Sequence, residues 1–418
     1  MTANYEVVEI CAGAGGQALG LERAGFHHRL AVELDEQASA TLRANREWDV
    51  ATGDVADPTI WKPENHRGVD LLAGGVPCPP FSIAGKQLGA SDERDLFAWA
   101  VELAEVMRPR AVLLENVRGL STNRFSAYRQ RVLDRFFELG YFAEWRLLQA
   151  ADFGVPQLRP RFVLVALSPE DAPYFRWPEP LGSRVTVGEA LLDLMSENNW
   201  RHSQTWASLA DDIGPTIVGG SKKHGGADLG PTRAKKAWSN LYVNAHGVAD
   251  SAPRRLDPSP RTSPPKLTID MVARIQGWNG DDWFFTGRKT SKYRQIGNAF
   301  PPPVAEAIGR QIVSAFEKVG VPQEKMLERG DAAHDPIYRI LREAAGPLQI
   351  GQIMSRLGGT ERQETVERRI ANLALDFDLN IELTKRGTSY QLGDFRGFIG
   401  QDDHLRHLFL EQNRSKVS

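Results

Sequence analysis

The chain has 418 residues, of which 41% are hydrophobic and 25% charged, as is usual for a soluble globular protein with more than one domain. Its formal net charge of −2 gives no global signal for nucleic-acid binding, so such a surface requires local clusters of basic residues. Two cysteines, no membrane-length apolar run and no zinc-like Cys/His spacing argue against a disulfide-rich secreted protein, a membrane protein and a zinc domain. The first residues do not resemble a signal peptide, and we expect a cytoplasmic protein.

The N-terminal segment has the pattern of a nucleotide-binding fold. Residues 7–11 predict a short strand, a glycine-rich turn follows at residues 12–16, and residues 17–24 predict a helix. A second predicted strand at residues 30–33 ends in a carboxylate, Glu33. Strand, glycine turn, helix and acidic strand end form the opening of a doubly wound sheet that binds an adenosine cofactor. Taken alone, this segment fits an NAD enzyme as well as other adenosine-cofactor enzymes.

A cysteine follows the strand predicted at residues 69–73. Cys78 stands in a loop, with prolines on both sides. Ligands bind at the carboxyl ends of strands in an open α/β sheet, so Cys78 is a candidate nucleophile. The alternative is a small packing residue, which is what most cysteines outside disulfides are.

The next predicted strands favour the interpretation of Cys78 as a nucleophile. A strand at residues 112–117 contains Glu115, and Arg159 and Arg161 directly precede a strand at residues 162–167. Because one edge of one sheet would collect these groups, thiol, carboxylate and guanidinium groups are expected to form a single site.

The pattern changes from residue 168 to about residue 265. Periodicity fades there, and glycine, proline, tryptophan and basic residues accumulate. Residues 219–226 and 233–238 predict loops with clustered positive charge, which are either solvated or bind phosphates. Helices are predicted again at residues 267–276 and 304–316.

The C-terminal segment predicts a separate small unit after a polar linker. Three helical stretches come first, followed by two short strand-like runs around Lys385 and Arg386. This order is typical of a winged helix, a variant of the helix-turn-helix. A helical appendage with no role in nucleic-acid binding fits about equally well. The three predicted helices are residues 336–345, 350–357 and 361–375.

The motifs, taken in order, resemble those of bacterial C5-cytosine DNA methyltransferases, which use S-adenosylmethionine. The resemblance covers roughly the first three quarters of the chain, and several motifs in family order are specific where each alone is weak. The sequence departs mildly from the family at Cys11, where Phe is frequent, at Pro79 and Pro80, and at Ala299, where Ser is common. The matching segments are residues 11–16, 77–82, 115–117, 157–161, 273–278 and 295–298.

The resemblance implies an α/β fold with a doubly wound, mostly parallel, Rossmann-like sheet. A smaller irregular target-recognition domain and a C-terminal winged-helix-like α+β domain complete the expected architecture. We expect a catalytic and cofactor-binding domain at residues 1–167 that resumes at 266–317, target recognition at 168–265, a linker at 318–334 and an accessory domain at 335–418. The expected partner is double-stranded DNA, with a cognate restriction endonuclease acting on the same site, and the expected state is a monomer.

The resemblance also implies a mechanism on a flipped-out cytosine. Cys78 attacks C6 as a thiolate, and Glu115 supplies a proton at N3, which requires a raised carboxyl pKa. Arg161 donates to the cytosine carbonyl oxygen, and Arg159 steadies the same pocket or Glu115. C5 then receives the methyl group of S-adenosylmethionine, and the sequence does not identify the base that removes the C5 proton.

The resemblance also implies which residues contact the cofactor and the DNA. The glycine turn should border the methionine part of the cofactor, Glu33 the ribose, and Asp54 with Val55 the adenine. No metal ligand is expected. The expected cofactor residues are Cys11, Gly13, Ala14, Gly16, Glu33, Leu34, Asp54, Val55, Gly75, Pro77, Leu96, Asn298 and Ala299. The expected DNA-binding residues are Ser82, Lys86, Gln87, Arg94, Lys222, Lys223, Arg233, Lys235 and Lys236.

Three other functions fit parts of the sequence. A nicotinamide-dependent oxidoreductase fits the glycine turn but leaves Cys78, Glu115 and the two arginines without a shared purpose. An RNA cytosine-5 methyltransferase would use the same catalytic groups, whereas the long central region favours sequence-specific DNA. A non-catalytic DNA-binding protein would not need the catalytic set.

Overall fold

A computed structural model describes residues 5–77, 94–219, 226–280, 282–323, 335–359, 361–374, 376–384 and 387–395. A seven-stranded sheet forms its centre, in the order β3-β2-β1-β4-β5-β8-β6. The first five strands in this order are parallel, whereas β8 is antiparallel to both of its neighbours. The mostly parallel sheet is therefore confirmed. Its strands are β1 (Tyr5–Ile10), β2 (Phe26–Glu33), β3 (Val50–Thr52), β4 (Leu71–Gly74), β5 (Ala111–Val117), β6 (Phe142–Gln149) and β8 (Pro160–Leu167), and β7 (Gln157–Leu158) lies outside this sheet.

Helices cover both faces of the sheet, which is why its central strands are apolar on both sides. The first four are α1 (Gly16–Arg23), α2 (Glu36–Asn45), α3 (Arg94–Met107) and α4 (Ser126–Glu138). Helices α3 and α4 pack on one face through a cluster that includes Phe97 and Phe136. The other face is covered by α1 together with a helix from much later in the chain.

The central region contains more regular structure than the sequence predicts. It holds α5 (Val187–Ser196), α6 (Ser203–Leu209), β9 (Gly214–Pro215) and α7 (Thr232–Asn240). Residues 233–238, predicted as a loop, lie in α7, so that prediction is wrong. Alanine, lysine and arginine are good helix formers, and the fully buried Trp238 anchors this short helix.

The chain then returns to the sheet. Helix α8 (Ile269–Ile275) and helix α9 (Lys289–Asn298) lead into α10 (Pro302–Phe316), which packs against α1. The sequence did not predict α9, because its residues are mostly polar and show no apolar periodicity. It did not predict β6 either.

The C-terminal segment has its own small core. It contains α11 (Pro336–Arg342), β10 (Leu348–Gln349), α12 (Ile350–Arg356), α13 (Gln363–Leu373), β11 (Phe377–Thr384) and β12 (Gly387–Phe395). The three strands form an antiparallel sheet in the order β10-β12-β11. Helix, strand, helix, helix and hairpin is the element order of a winged helix. In the described part of the chain, no helix is both long enough and apolar enough to span a membrane.

We predict that Gly20→Ala destabilises the protein by about 1–3 kcal/mol, the usual cost of overpacking. A Cβ at Gly20 would lie 2.4 Å from the carbonyl oxygen of Pro302 and 2.5 Å from Cβ of Ala305, so α1 and α10 would have to separate. Chemical denaturation measures the free energy of unfolding. The control is Gly351→Ala in α12, where a Cβ meets open space. Helix propensity should make that variant neutral or slightly more stable, and equal losses in both variants would contradict the close contact.

Candidate active site

A cleft lies at the carboxyl ends of the central strands, where an open α/β sheet binds ligands. Its volume is about 250 Å³. One wall is the turn after β1, and the opposite wall comes from α9 and the residues that follow it. The predicted cofactor residues that line it are Cys11, Gly13, Ala14, Gly16, Glu33, Gly75, Asn298 and Ala299.

The glycine turn after β1 serves two purposes. A Cβ at Gly13 would meet open space, so this position leaves room for a ligand beside the backbone. A Cβ at Gly15 would lie 2.3 Å from the ring of Trp283, and one at Gly16 would lie 2.3 Å from the carbonyl oxygen of Phe300. Glycine is thus required at positions 15 and 16, because the segment that carries Trp283 and Phe300 packs directly against them. Trp283 Nε1 also donates to the carbonyl oxygen of Ala14 at 2.9 Å.

Glu33 ties the glycine turn to the end of β2. Its Oε2 accepts the backbone N–H of Gly13 at 2.7 Å, and its Oε1 accepts that of Asp35, also at 2.7 Å. Burial raises the pKa of Glu33, and these hydrogen bonds oppose the rise. The carboxylate therefore shapes the cleft in addition to lining it.

Five predicted cofactor residues are not among those that line the cleft within the described ranges. Val55 and Leu96 are buried in the hydrophobic core. The Asp54 carboxylate accepts the backbone N–H of Ala56 at 3.0 Å, as a turn former does. Contact with a cofactor stays a prediction for all five, which are Leu34, Asp54, Val55, Pro77 and Leu96.

Glu115 and Arg161 form a buried ion pair. The Glu115 Oε1 and Arg161 Nε atoms are 2.5 Å apart, although they are not aligned as a hydrogen bond. Register explains the contact, because β8 is antiparallel to β5 and Arg161 at its start pairs with Val117. Burial raises the pKa of Glu115, and the positive charges of Arg161 and Arg159 oppose the rise without cancelling it.

Asn116 anchors the chain that leads to Cys78. Its side-chain amide donates to the carbonyl oxygen of Val76 at 3.0 Å. Gly74 pairs with Leu114 in the parallel β4–β5 ladder, and a Cβ at Gly75 would lie 3.5 Å from Glu115 Oε2. The backbone that leads toward Cys78 is therefore fixed next to the carboxylate. Cys78 itself lies outside the described residues, as do Ser82, Lys86, Gln87, Lys222 and Lys223.

Arg159 does not share the surroundings of Arg161. Its guanidinium donates to the backbone carbonyls of Ile217 at 2.8 Å, Gly297 at 2.7 Å and Ala299 at 2.9 Å. It is completely enclosed, and within the described part of the chain it forms no ion pair with Glu115. Arg159 thus joins β8, the central region and the end of α9, and it influences Glu115 only through its charge.

Two glutamines extend this buried network. Gln157 donates to the Gln276 side chain at 2.5 Å and accepts the backbone N–H of Ile217 at 2.9 Å. Gln276 donates to the carbonyl oxygens of Ile296 and Ala299 at 3.1 and 3.0 Å. Buried polar networks rigidify a structure when their members are satisfied. The middle of the central region, at Ile217, is thereby fixed to the wall of the cleft.

Glu9 and Gln17 are two buried polar residues of the cleft that the sequence did not predict as site residues. Glu9 is fully buried in β1, where its Oε2 contacts His28 Nε2 at 2.9 Å. Its Oε1, and both polar atoms of the Gln17 side chain, have no hydrogen-bond partner among the described residues. Since an unpaired buried polar group costs about 1–3 kcal/mol, the cleft favours a ligand that carries polar groups. The sequence does carry a signal for Glu9, which is a carboxylate within an otherwise apolar predicted strand.

The predicted DNA-binding residues in the described ranges lie on α7 and at the start of α3. Arg233 and Lys236 are exposed on α7, whereas Lys235 contacts Asp228 at 2.7 Å. The backbone of Arg94 begins α3, and its side chain lies outside the described residues. In the described ranges, no group of three or more His, Cys, Asp or Glu side chains could hold a metal ion.

Fold and site together define an α/β protein with a polar cleft beside a buried carboxyl group. The sequence profile of the C-5 cytosine-specific DNA methylases matches residues 5–314. The chain belongs to this family and is a C5-cytosine DNA methyltransferase. This confirms the resemblance seen in the motifs.

Two characterised relatives are similar over different lengths. Type II methyltransferase M.NaeI of Lentzea aerocolonigenes is 60% identical over 416 residues, which cover 99% of this chain and 100% of the relative. Type II methyltransferase M.NgoMIV of Neisseria gonorrhoeae is 52% identical over 323 residues, which cover 75% of this chain and 99% of the relative. The second match shows that a protein of this kind can be about a quarter shorter than this chain.

A solved structure supports the fold. The methyltransferase EhMeth of Entamoeba histolytica superposes with a TM-score of 0.51 at 14% identity, and the match covers 76% of this chain and 99% of EhMeth. At this identity, the likeness shows a shared fold and nothing finer.

We predict that Glu115→Gln changes how stability depends on pH. A raised folded-state pKa means that the stability contributed by Glu115 is complete below the ordinary value of 4.5 and is lost as pH rises through the folded-state pKa. The unfolding free energy of the variant should therefore increase relative to that of wild type as the pH rises from about pH 5 to pH 8. Denaturant titrations across this range measure it.

Glu138→Gln is the matched control. Arg131 and Arg342 lower the pKa of Glu138, so its contribution is present above 4.5 and is lost as pH falls. The difference between this variant and wild type should stay constant from about pH 5 to pH 8. Parallel behaviour of the two variants would contradict the raised pKa of Glu115.

Proposed function

We propose that this chain is a Type II, sequence-specific DNA methyltransferase that methylates C5 of a flipped-out cytosine through a covalent bond between Cys78 and C6. The observation that carries the proposal is the enclosed Glu115 beside Arg161, next to the anchored backbone that leads to Cys78. Burial raises the pKa of Glu115 and so favours the protonated carboxyl group, the form that can donate a proton to the base.

The residues of the cleft fit S-adenosylmethionine. The open backbone at Gly13 and the unpaired polar atoms of Glu9 and Gln17 suit a ligand with amino, carboxylate and hydroxyl groups. Glu33 would hold the ribose hydroxyls, and Asn298 would approach from the opposite wall. When bound, this cofactor supplies an electrophilic methyl group. Its site lies beside Glu115, which lines the same cleft.

The protein groups activate the cytosine ring. The Cys78 thiolate forms a bond to C6, and the ring electrons move toward N3, where protonated Glu115 donates its proton. Arg161 has a guanidinium beside the carboxyl group, so it can donate to the neighbouring carbonyl oxygen of the base. After methyl transfer, loss of the C5 proton allows the S–C6 bond to break and restores Cys78.

The substrate is proposed to be duplex DNA that is read by the central region. A cytosine inside a duplex cannot reach a buried carboxyl group, so it has to leave the stack. Exposed Arg233 and Lys236 on α7, with Lys222 and Lys223 in the preceding segment, would contact phosphates and bases. Arg159 fixes the middle of this region, at Ile217, to the cleft wall.

The biological setting is proposed by analogy. The named relatives are Type II methyltransferases, which supports a modification enzyme of a restriction-modification system with an endonuclease that acts on the same site. A monomer in the cytoplasm, where thiols stay reduced, would suit a cysteine nucleophile.

We predict that Cys78→Ala abolishes methylation, with a loss of about 10⁴-fold or more, the range for removal of a catalytic nucleophile. Bisulfite sequencing of DNA from cells that express the protein locates the methylated cytosine. A duplex with 5-fluorocytosine at that position should then trap wild-type protein covalently, because fluorine cannot leave as a proton does. The variant should form no adduct while it still binds S-adenosylmethionine. Trapping of the variant would rule out Cys78 as the nucleophile.

We predict that Glu33→Ala weakens S-adenosylmethionine binding by about 5- to 150-fold, because two backbone N–H groups of the cleft lose their acceptor. Calorimetry measures the affinity. Glu36→Ala is the control, since it removes an equal charge from an exposed position near the start of α2. Tight binding of NAD, without binding of S-adenosylmethionine, would favour the oxidoreductase.

A further inference from the structure

A polar cleft lies between α13 and the start of α4. Its volume is about 580 Å³, and the proposed methyl transfer uses none of the residues that line it. Asn123 and Ser126 contribute from the catalytic side, and α13 contributes polar and basic side chains. Those on α13 are Thr365, Arg368, Arg369 and Asn372.

The topology places this cleft at the catalytic edge of the sheet. Strands β5 and β6 are both antiparallel to β8, so they are parallel to each other and α4 runs back between them. The first residue of α4, Ser126, therefore lies at the edge where Glu115 and Val117 end β5. DNA that delivers a base to Glu115 has to lie over this edge.

The C-terminal segment is held firmly against α4. Tyr338 Oη contacts Asp134 Oδ2 at 3.1 Å, and the Arg342 guanidinium contacts Glu138 at 2.5 Å. Ser126 Oγ donates to Asp335 Oδ2 at 2.8 Å. These contacts fix α11 relative to the catalytic edge, and α13 packs against α11.

The charges of the cleft suit a phosphodiester backbone. Asp335 is already engaged, because its Oδ1 accepts the backbone N–H groups of Ile337 and Tyr338 and its Oδ2 accepts from Ser126. Arg369 is paired with Glu361 at 2.6 Å. Arg368 is exposed, and among the described residues it has no ion-pair partner. An available guanidinium with neighbouring amide and hydroxyl groups is a typical phosphate-binding set.

We propose that this cleft binds the sugar–phosphate backbone of duplex DNA outside the methylated sequence. The inference rests on the proposed function and extends it. The C-terminal segment would lengthen the DNA footprint and raise affinity without reading bases. The shorter relative M.NgoMIV, which matches 75% of this chain, is consistent with a methyl transfer that does not need this segment.

The test compares the full-length protein with Arg368→Glu on two duplexes that carry the mapped cytosine. One has about 12 base pairs and covers little more than a recognition site, and the other has about 40 base pairs and extends beyond it. Wild type should bind the longer duplex more tightly and with a steeper salt dependence. Arg368→Glu should lose most of this gain, and its salt slope on the longer duplex should fall by about 1 for each lost phosphate contact.

Two further variants serve as controls, one with the same charge reversal outside the cleft and one that keeps the charge at position 368. Arg356→Glu changes an exposed arginine on α12 that does not line the cleft, and it should behave as wild type. Arg368→Lys keeps the positive charge and should retain the salt slope. All variants should methylate the short duplex at the wild-type single-turnover rate.

The proposal fails if Arg368→Glu keeps the gain from the longer duplex, or if Arg356→Glu loses as much. The first result would show that the cleft does not bind DNA, and the second would show a general effect of charge. Failure of the proposed function has a different readout, because wild type would then methylate neither duplex.

Discussion

The buried guanidinium of Arg159 holds the two halves of the active site together. It donates to the backbone carbonyl of Ile217 in the central region and to those of Gly297 and Ala299 at the end of α9, and both segments are far from Arg159 in sequence. Hydrogen bonds to a charged donor contribute about 1.5–3 kcal/mol each, whereas an unpaired buried charge is strongly destabilising. The alternatives to this arrangement are therefore costly, and the central region is held in one position relative to the cofactor cleft.

The same geometry gives the two arginines of one motif different functions. Two residues that are two positions apart in one strand point to the same face of the sheet. Arg159, however, lies between β7 and β8, where the strand is interrupted, whereas Arg161 lies within β8. Arg161 therefore reaches Glu115 while Arg159 reaches backbone carbonyls. The opposing effects of burial and of nearby positive charge then set the pKa of Glu115, and burial has the larger effect.

The sequence predicted the parallel core because its strands are continuous apolar runs bounded by glycine, proline or a carboxylate. The clustering of Glu115 with Arg161 was predicted from strand ends, and the two side chains are in contact. The separate position of Arg159 could not be predicted, since its carbonyl partners are chosen by tertiary packing and backbone carbonyls carry no sequence signal. Helix α9 was missed because tertiary contacts of Tyr293 and Gln295 stabilise it, with no help from apolar periodicity.

The glycine turn beside β1 and the wall formed after α9 have a consequence for protein synthesis. The cleft closes only when Trp283 and Phe300 pack on Gly15 and Gly16, and these partners leave the ribosome long after the turn itself. The early strands can pair before then, but the binding site cannot be completed. Ligand binding stabilises only a state that binds it. Any ligand of this cleft can therefore stabilise the finished fold, but it finds no complete binding site while only the first half of the chain has been made.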